Sequence, residues 1–235
     1  MIPPGDLLTG RMLVCFMLSL AVARRVQSVR VGRVAFLGAF GIAVLGLLGI
    51  LYAEAKPGLP LESAWIRRLP IGLNDEFTIP ALYSSALLFA AGGLALAASE
   101  LCVRRRRWAF RGLALFFAFM GADEILSIHE RLETVIGLGW TTLYAPVILA
   151  GGVGWFSALV HMRRLPVAPW CFAAGAAAWF LALVLEEFQY DDGVLLARKT
   201  ILPEEILEMV GSLLFGLALL LTVQAWLRER SRLER

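Results

Sequence analysis

The stretch Trp108 to Glu130, WAFRGLALFFAFMGADEILSIHE, governs how the rest of the chain is read. Its apolar run, Gly112 to Ala122, leads straight into Asp123 and Glu124, and His129 and Glu130 follow within two turns. As a helix rising about 1.5 Å per residue it is long enough to cross roughly 30 Å of hydrocarbon. The acids depress its hydropathy, yet the segment reads as a span. Carboxylates at such depth are costly in lipid and normally mark a site.

The surrounding sequence supports that reading. The chain has 235 residues, 59% of them hydrophobic, with a mean hydropathy of +0.74, too apolar for a soluble domain of ordinary composition. Apolar stretches predict spans over residues 34–53, 77–99, 142–160, 169–187 and 204–227, and 108–130 makes a sixth. A marginal seventh covers 7–23, where only Met12 to Ala23 is cleanly apolar and Arg11 intrudes. Arg24 and Arg25 follow it directly with no small-residue cleavage site, so it reads as a short membrane helix rather than a signal peptide. The expected fold is an all-α polytopic membrane helix bundle, one integral membrane domain over 1–235, with six firm spans and the marginal N-terminal one.

Arginine placement orients the bundle. Arg24, Arg25, Arg30, Arg33, Arg104 to Arg107, Arg111, Arg163, Arg164, Arg228, Arg230, Arg232 and Arg235, fifteen in all, fall in alternate loops and the C-terminal tail. The remaining loops hold Lys56, Arg67, Arg68, Arg131, Arg198 and Lys199. The positive-inside rule puts the arginine-rich loops and the C-terminus in the cytoplasm. Trp108, Trp170 and Trp226 then lie at the inner boundary and Trp140 at the outer one, as interfacial aromatics should. Because the arginines are loop residues that orient spans, the net charge of +3 carries no indication of nucleic-acid binding. Cys15, Cys102 and Cys171 form no C-x-x-C pair and suggest neither a disulfide framework nor a thiolate metal site.

This orientation sends the deep acids to one face. Glu76 opens its span from outside, Asp123 to Glu130 close the next, Glu186 and Glu187 end the fifth, and Glu204, Glu205 and Glu208 open the sixth. Counting from Trp108, Asp123 stands about 22 Å up and Glu130 about 33 Å, which describes a funnel opening outward. On a continuous helix Asp123, Ser127 and Glu130 share one face, flanked by Glu124 and His129, and so wide a polar arc must face the bundle interior. Glu186 with Tyr190, and Glu204 with Glu208, are i, i+4 pairs on common faces.

Several carboxylates without matching bases repel one another, and a divalent cation resolves the conflict. The expected metal set is Asp123, Glu124, His129, Glu130, Glu76, Glu186, Glu204 and Glu208, with Asp123, Glu124 and Glu130 the candidates for acid–base work. One histidine and no thiolate fit Mn²⁺, Fe²⁺, Ca²⁺ or Mg²⁺ better than Zn²⁺. Simpler readings stand beside this one. Glu204 and Glu205 follow Pro203, where acids in a first helical turn serve the helix dipole. Glu186 and Glu187 also read as the solvated end of a span, Asp123 and Glu124 as burial paired with an arginine, His129 as a satisfied core histidine, and His161 as interfacial. Pro80 frees the carbonyl of Glu76, a break that the Ser84 or Ser85 hydroxyl can repair, and no nucleophile-elbow motif surrounds either serine.

The segment Asn74 to Pro80 with Ser84-Ser85, the element Asp123-Glu124 spaced to His129-Glu130, and Glu204-Glu205 with Glu208 and Gly211 resemble a family of uncharacterised bacterial multi-pass membrane proteins. The resemblance covers roughly Glu76 to Gly211 and implies a multi-pass architecture and the grouping of these motifs, without a reaction. Ferritin-like di-iron bundles use Glu-x-x-His, whereas Leu126 stands three residues before His129. Membrane hydrolases that include the alkaline ceramidases look similar in span number and outward acids, but their several zinc-binding histidines are absent. The expectation is a bacterial inner-membrane protein that binds a divalent cation, with metal-dependent action on a lipid or small molecule as its enzymatic form. An ion- or proton-coupled carrier and a non-catalytic subunit of a larger membrane complex are the competing readings. The expected partners are the bilayer and a second copy or a complex partner, while Gly92-Gly93, Gly112, Gly151-Gly152 and Gly175 allow close helix approach within the chain or between chains equally well.

Overall fold

A computed structural model describes residues 29–55, 79–191 and 194–235. The described residues are helical throughout their ordered elements, with no strand among them. The helices are α1 Val29–Ala55, α2 Ile79–Leu101, α3 Arg107–Leu126, α4 Ile128–Ile136, α5 Trp140–Met162, α6 Ala168–Asp191 and α7 Val194–Leu233, with a 3₁₀ turn Arg104–Arg106 before α3. The marginal span 7–23 and Glu76 lie outside the described residues.

Among the described residues, five helices, α1, α2, α5, α6 and α7, are long and apolar enough to cross a bilayer. Their surface suits lipid rather than water: Leu37, Leu149 and Phe180 are each more than 60% exposed. Helix α7 is the centre of the bundle, packing on α6, α2 and α1, while α3 packs between α2 and α5. One core joins Leu88, Phe117, Phe172 and Phe215 from α2, α3, α6 and α7. A second joins α1 to α7 through Val31, Ile42, Met209 and Leu213.

Lipid offers no hydrophobic drive between helices, so close packing and polar contacts must hold them. The α6–α7 crossing shows this most directly. A Cβ built on Gly211 would stand 2.3 Å from Trp179 Cδ1 and 2.9 Å from the Gly175 carbonyl oxygen, so the two backbones meet through glycine. Trp179 Nε1 donates to the Glu208 carbonyl at 3.1 Å and to Ser212 Oγ at 3.2 Å beside that contact. Between α2 and α3, Ser85 Oγ donates to the Gly121 carbonyl at 2.6 Å. Ser85 is thereby a structural donor to the neighbouring helix, and Pro80 is buried in the first described turn of α2.

Two predicted elements take a different form. The segment 108–130 is not one continuous helix: α3 stops at Leu126 because Ser127 adopts the left-handed conformation, φ 49° and ψ 47°, and α4 begins at Ile128. Helix α3 carries Arg111, Asp123 and Glu124 within its length and is not among the five strongly apolar helices. Helix α7 begins at Val194 and continues through Pro203. Glu204 and Glu205 therefore lie inside a helix, and the first-turn dipole reading of these acids loses its basis.

The two ends of the bundle differ in charge. Phe110 packs edge-on against His161 and Trp226, at centroid distances of 6.4 and 5.5 Å, which brings the arginine-bearing ends of α3, α5 and α7 together. At the other end Glu124 of α3 and Glu186 of α6 come within electrostatic range of Glu205 and Glu208 of α7.

Candidate functional site

The break at Ser127 builds the first half of the site. Leaving α3, the chain folds back so that α4 presents its first turn to the Asp123 carboxylate. The His129 backbone N–H donates to Asp123 Oδ1 at 3.0 Å, so Asp123 caps α4, and the His129 ring Nδ1 meets Oδ2 at 2.8 Å. A carboxylate can only accept here, which assigns the proton of that contact to Nδ1. Tyr144 of α5 donates its hydroxyl to Oδ1 at 2.6 Å. Asp123 is buried, with 4% of its surface exposed, and three donors satisfy it. Trp140 and Tyr144 pack on the His129 ring at 5.6 and 6.2 Å, and Phe119 packs on Tyr144 at 5.5 Å. The partner of the buried acid is thus a histidine and a tyrosine, not the arginine that the simpler reading expected. Ser127 is buried at the break, and its Oγ has no hydrogen-bond partner among the described residues.

The second half lies one residue on. Successive helical side chains point about 100° apart, so Glu124 leaves α3 in another direction. It meets Glu205 and Glu208, which are i, i+3 on α7 and share a face. One carboxylate oxygen from each of the three lies within 4.8 Å of the others. All three are half-buried. Glu186 of α6 and Glu204 of α7 add their fields to the same spot, and Glu204 is itself buried. The Trp179 bond to the Glu208 carbonyl ties α6 to α7 at this level.

The predicted residues therefore divide. Glu124 and Glu208 come together, with Glu186 and Glu204 in electrostatic range. Asp123 and His129 pair with each other. The Glu130 side chain lies outside the described residues, as do Glu187, Tyr190 and the whole of Glu76. Two residues lie outside the predicted set, Glu205 beside the other glutamates and Tyr144 beside Asp123. The i, i+4 pair Glu204 and Glu208 stands in the expected set without Glu205, yet i, i+3 spacing places Glu205 beside Glu208 equally well. Tyr144 lies four residues after the outer-boundary Trp140, and its polar tip was the one available signal.

The arrangement offers an all-oxygen donor set of three carboxylates beside, but distinct from, a hydrogen-bonded Asp–His–Tyr group. Oxygen ligands without thiolate suit a hard divalent cation. Comparison with curated proteins and with solved structures finds no match to this chain. A family described as a domain of unknown function, DUF8692, matches residues 34–223, most of the chain, and the protein belongs to that family.

Proposed function

We propose that this is a polytopic protein of a bacterial inner membrane that binds a divalent cation at the outward end of its helix bundle. Glu124, Glu205 and Glu208 are the ligands, and Glu186 and Glu204 supply further negative potential. The observation that carries this reading is the approach of three carboxylates to within 4.8 Å at the end of apolar helices. Like charges so close in a poorly solvated setting either share protons or bind a cation. The cation reading is supported by the number of acids gathered there, since Glu186 and Glu204 add negative potential to the three carboxylates.

The topology that accompanies this reading counts α3 as a sixth span, because it packs within the bundle between α2 and α5. The arginine-rich end then faces the cytoplasm, with the C-terminus, and the glutamates face outward. Asp123 and His129 serve beside the cation by holding the α3–α4 break. In an enzymatic form, Glu124, Glu205 and Glu208 would hold a cation that would supply Lewis-acid polarisation of a lipid or small-molecule oxygen. The chain's own part is to hold the ion through Glu124, Glu205 and Glu208 and to accept a proton on a neighbouring glutamate.

Elemental mass spectrometry of detergent-purified protein, wild type beside Glu208→Gln, tests the proposal. The expected result is a near-stoichiometric divalent metal in the wild type that is lost in the variant. Wild-type protein that stays metal-free after incubation with Mg²⁺, Ca²⁺ and Mn²⁺ would refute it and favour a proton-coupled carrier, whose acids share protons instead.

A further inference from the structure

The opposite end of the molecule carries the second strong electrostatic feature, and it is independent of the cation site. The contacts of Phe110 with His161 and Trp226 gather three arginine-bearing segments: the α2–α3 turn, the α5–α6 turn and the end of α7. From Arg104 onward these segments hold eleven arginines against the three glutamates Glu100, Glu229 and Glu234. The carboxylates are already engaged in part, Glu100 with Arg111 at 3.0 Å and Arg107 at 3.9 Å, and Glu234 with Arg230 at 3.0 Å. Arg104, Arg106, Arg163, Arg164, Arg228 and Arg232 are exposed and make no ion pair among the described residues.

Their setting identifies the partner. Trp170 is 75% exposed and Trp108 56% exposed at the same end, as ring anchors at a headgroup boundary are. Val103 and Leu233, 70% and 83% exposed, interleave with the arginines. Helix α7 runs on past Trp226 to Leu233, roughly 10 Å at the helical rise, which carries Arg228, Arg230 and Arg232 through headgroup level. Cationic groups mixed with exposed apolar side chains fit a bilayer surface better than a nucleic acid or a fully polar partner.

We propose that this end of the protein is a binding surface for anionic phospholipid headgroups, with Arg104 and Arg106 of one turn and Arg163 and Arg164 of the next as its centre. Guanidinium forks pair with phosphate oxygens bidentately, and the additional charge of an anionic headgroup supplies the preference over a zwitterionic one. The attraction is screened by salt.

The test uses the full chain reconstituted into bilayers of phosphatidylcholine and phosphatidylglycerol, with brominated forms of each lipid in turn as quenchers of tryptophan fluorescence. The expected result is a preference for phosphatidylglycerol of about fivefold, which falls toward unity in 1 M salt and in Arg104→Gln/Arg106→Gln/Arg163→Gln/Arg164→Gln. The matching four-lysine variant keeps most of the preference, which separates lost charge from a misfolded turn. Equal quenching by the two lipids in the wild type overturns the proposal, and so does a preference that survives the glutamine variant or disappears in the lysine one. Inorganic phosphate is added against chloride at equal ionic strength. If it abolishes the preference where chloride does not, the ligand is soluble phosphate and the lipid assignment fails.

Discussion

Asp123 and Glu124 are adjacent residues on one helix, and the structure gives them opposite surroundings. Asp123 turns toward α4 and α5 and is met by three donors: the His129 backbone, the His129 ring and the Tyr144 hydroxyl. Glu124 turns toward α7 and is met by two more carboxylates. The difference teaches that a deep acid is not a ligand merely because it is deep. A carboxylate met by three protein donors stabilises the fold, whereas carboxylates gathered within 4.8 Å of one another repel unless a proton or a cation lies between them. Two neighbouring carboxylates therefore have different surroundings, separated by one step of about 100° around α3.

Substitutions can break or sharpen this contrast. The largest effect is expected for Asp123→Ala, which leaves three donors without their acceptor and should lower stability by about 3 to 5 kcal/mol. Denaturant unfolding in micelles measures that loss, and Mn²⁺ affinity measured on the folded fraction should change less than about threefold. Should cation affinity collapse along with stability, the two acids belong to one site and the contrast is wrong. Next comes Glu205→Gln with Glu208→Gln, which should weaken Mn²⁺ binding by about 100-fold in calorimetric titration, or about 2.7 kcal/mol. Stability of this variant in metal-free buffer should hold or rise, since like-charge repulsion is relieved. A fall in metal-free stability would mean that these glutamates are structural partners.

Glu124→Gln removes one ligand of three and should cost about tenfold in cation affinity, with unfolding of the metal-free protein unchanged. The smallest effect is expected for Tyr144→Phe, which removes one donor to Asp123 and should lower stability by about 1 kcal/mol. In a double-mutant cycle with Asp123→Asn the two losses should be strongly non-additive, while Tyr144→Phe with Glu124→Gln should be additive. Additivity of the first pair would show that the 2.6 Å contact carries little energy.

Hydropathy, arginine spacing and the positions of the acids were legible without coordinates because each follows from burial of one residue at a time. Val34, Leu37 and Phe40 read as membrane residues and are exposed on the surface of α1. Trp170 and Trp108 read as boundary residues and stand exposed at the arginine-bearing end. The gathering of acids from α3, α6 and α7 at the other end was likewise expected from alternate loops, since a span reverses direction at every crossing.

Pairing was not legible, because it depends on where a helix ends and how it is rotated. Nothing in ADEILSIHE marks Ser127 for a left-handed conformation, a position more usual for glycine or asparagine. That single backbone angle turns His129 from a flank of Asp123's helical face into its hydrogen-bond partner. Glu205 likewise joined the cluster through the rotation of α7, which is set by the contact of Gly211 with Gly175 and Trp179. Composition and order along the chain pointed to an apolar helical bundle with charge sorted to its two ends. Which acid meets the His129 and Tyr144 donors and which meets other carboxylates depended on one turn and one crossing, because hydrogen bonds and ligation act over about 3 Å while hydropathy averages over a whole span.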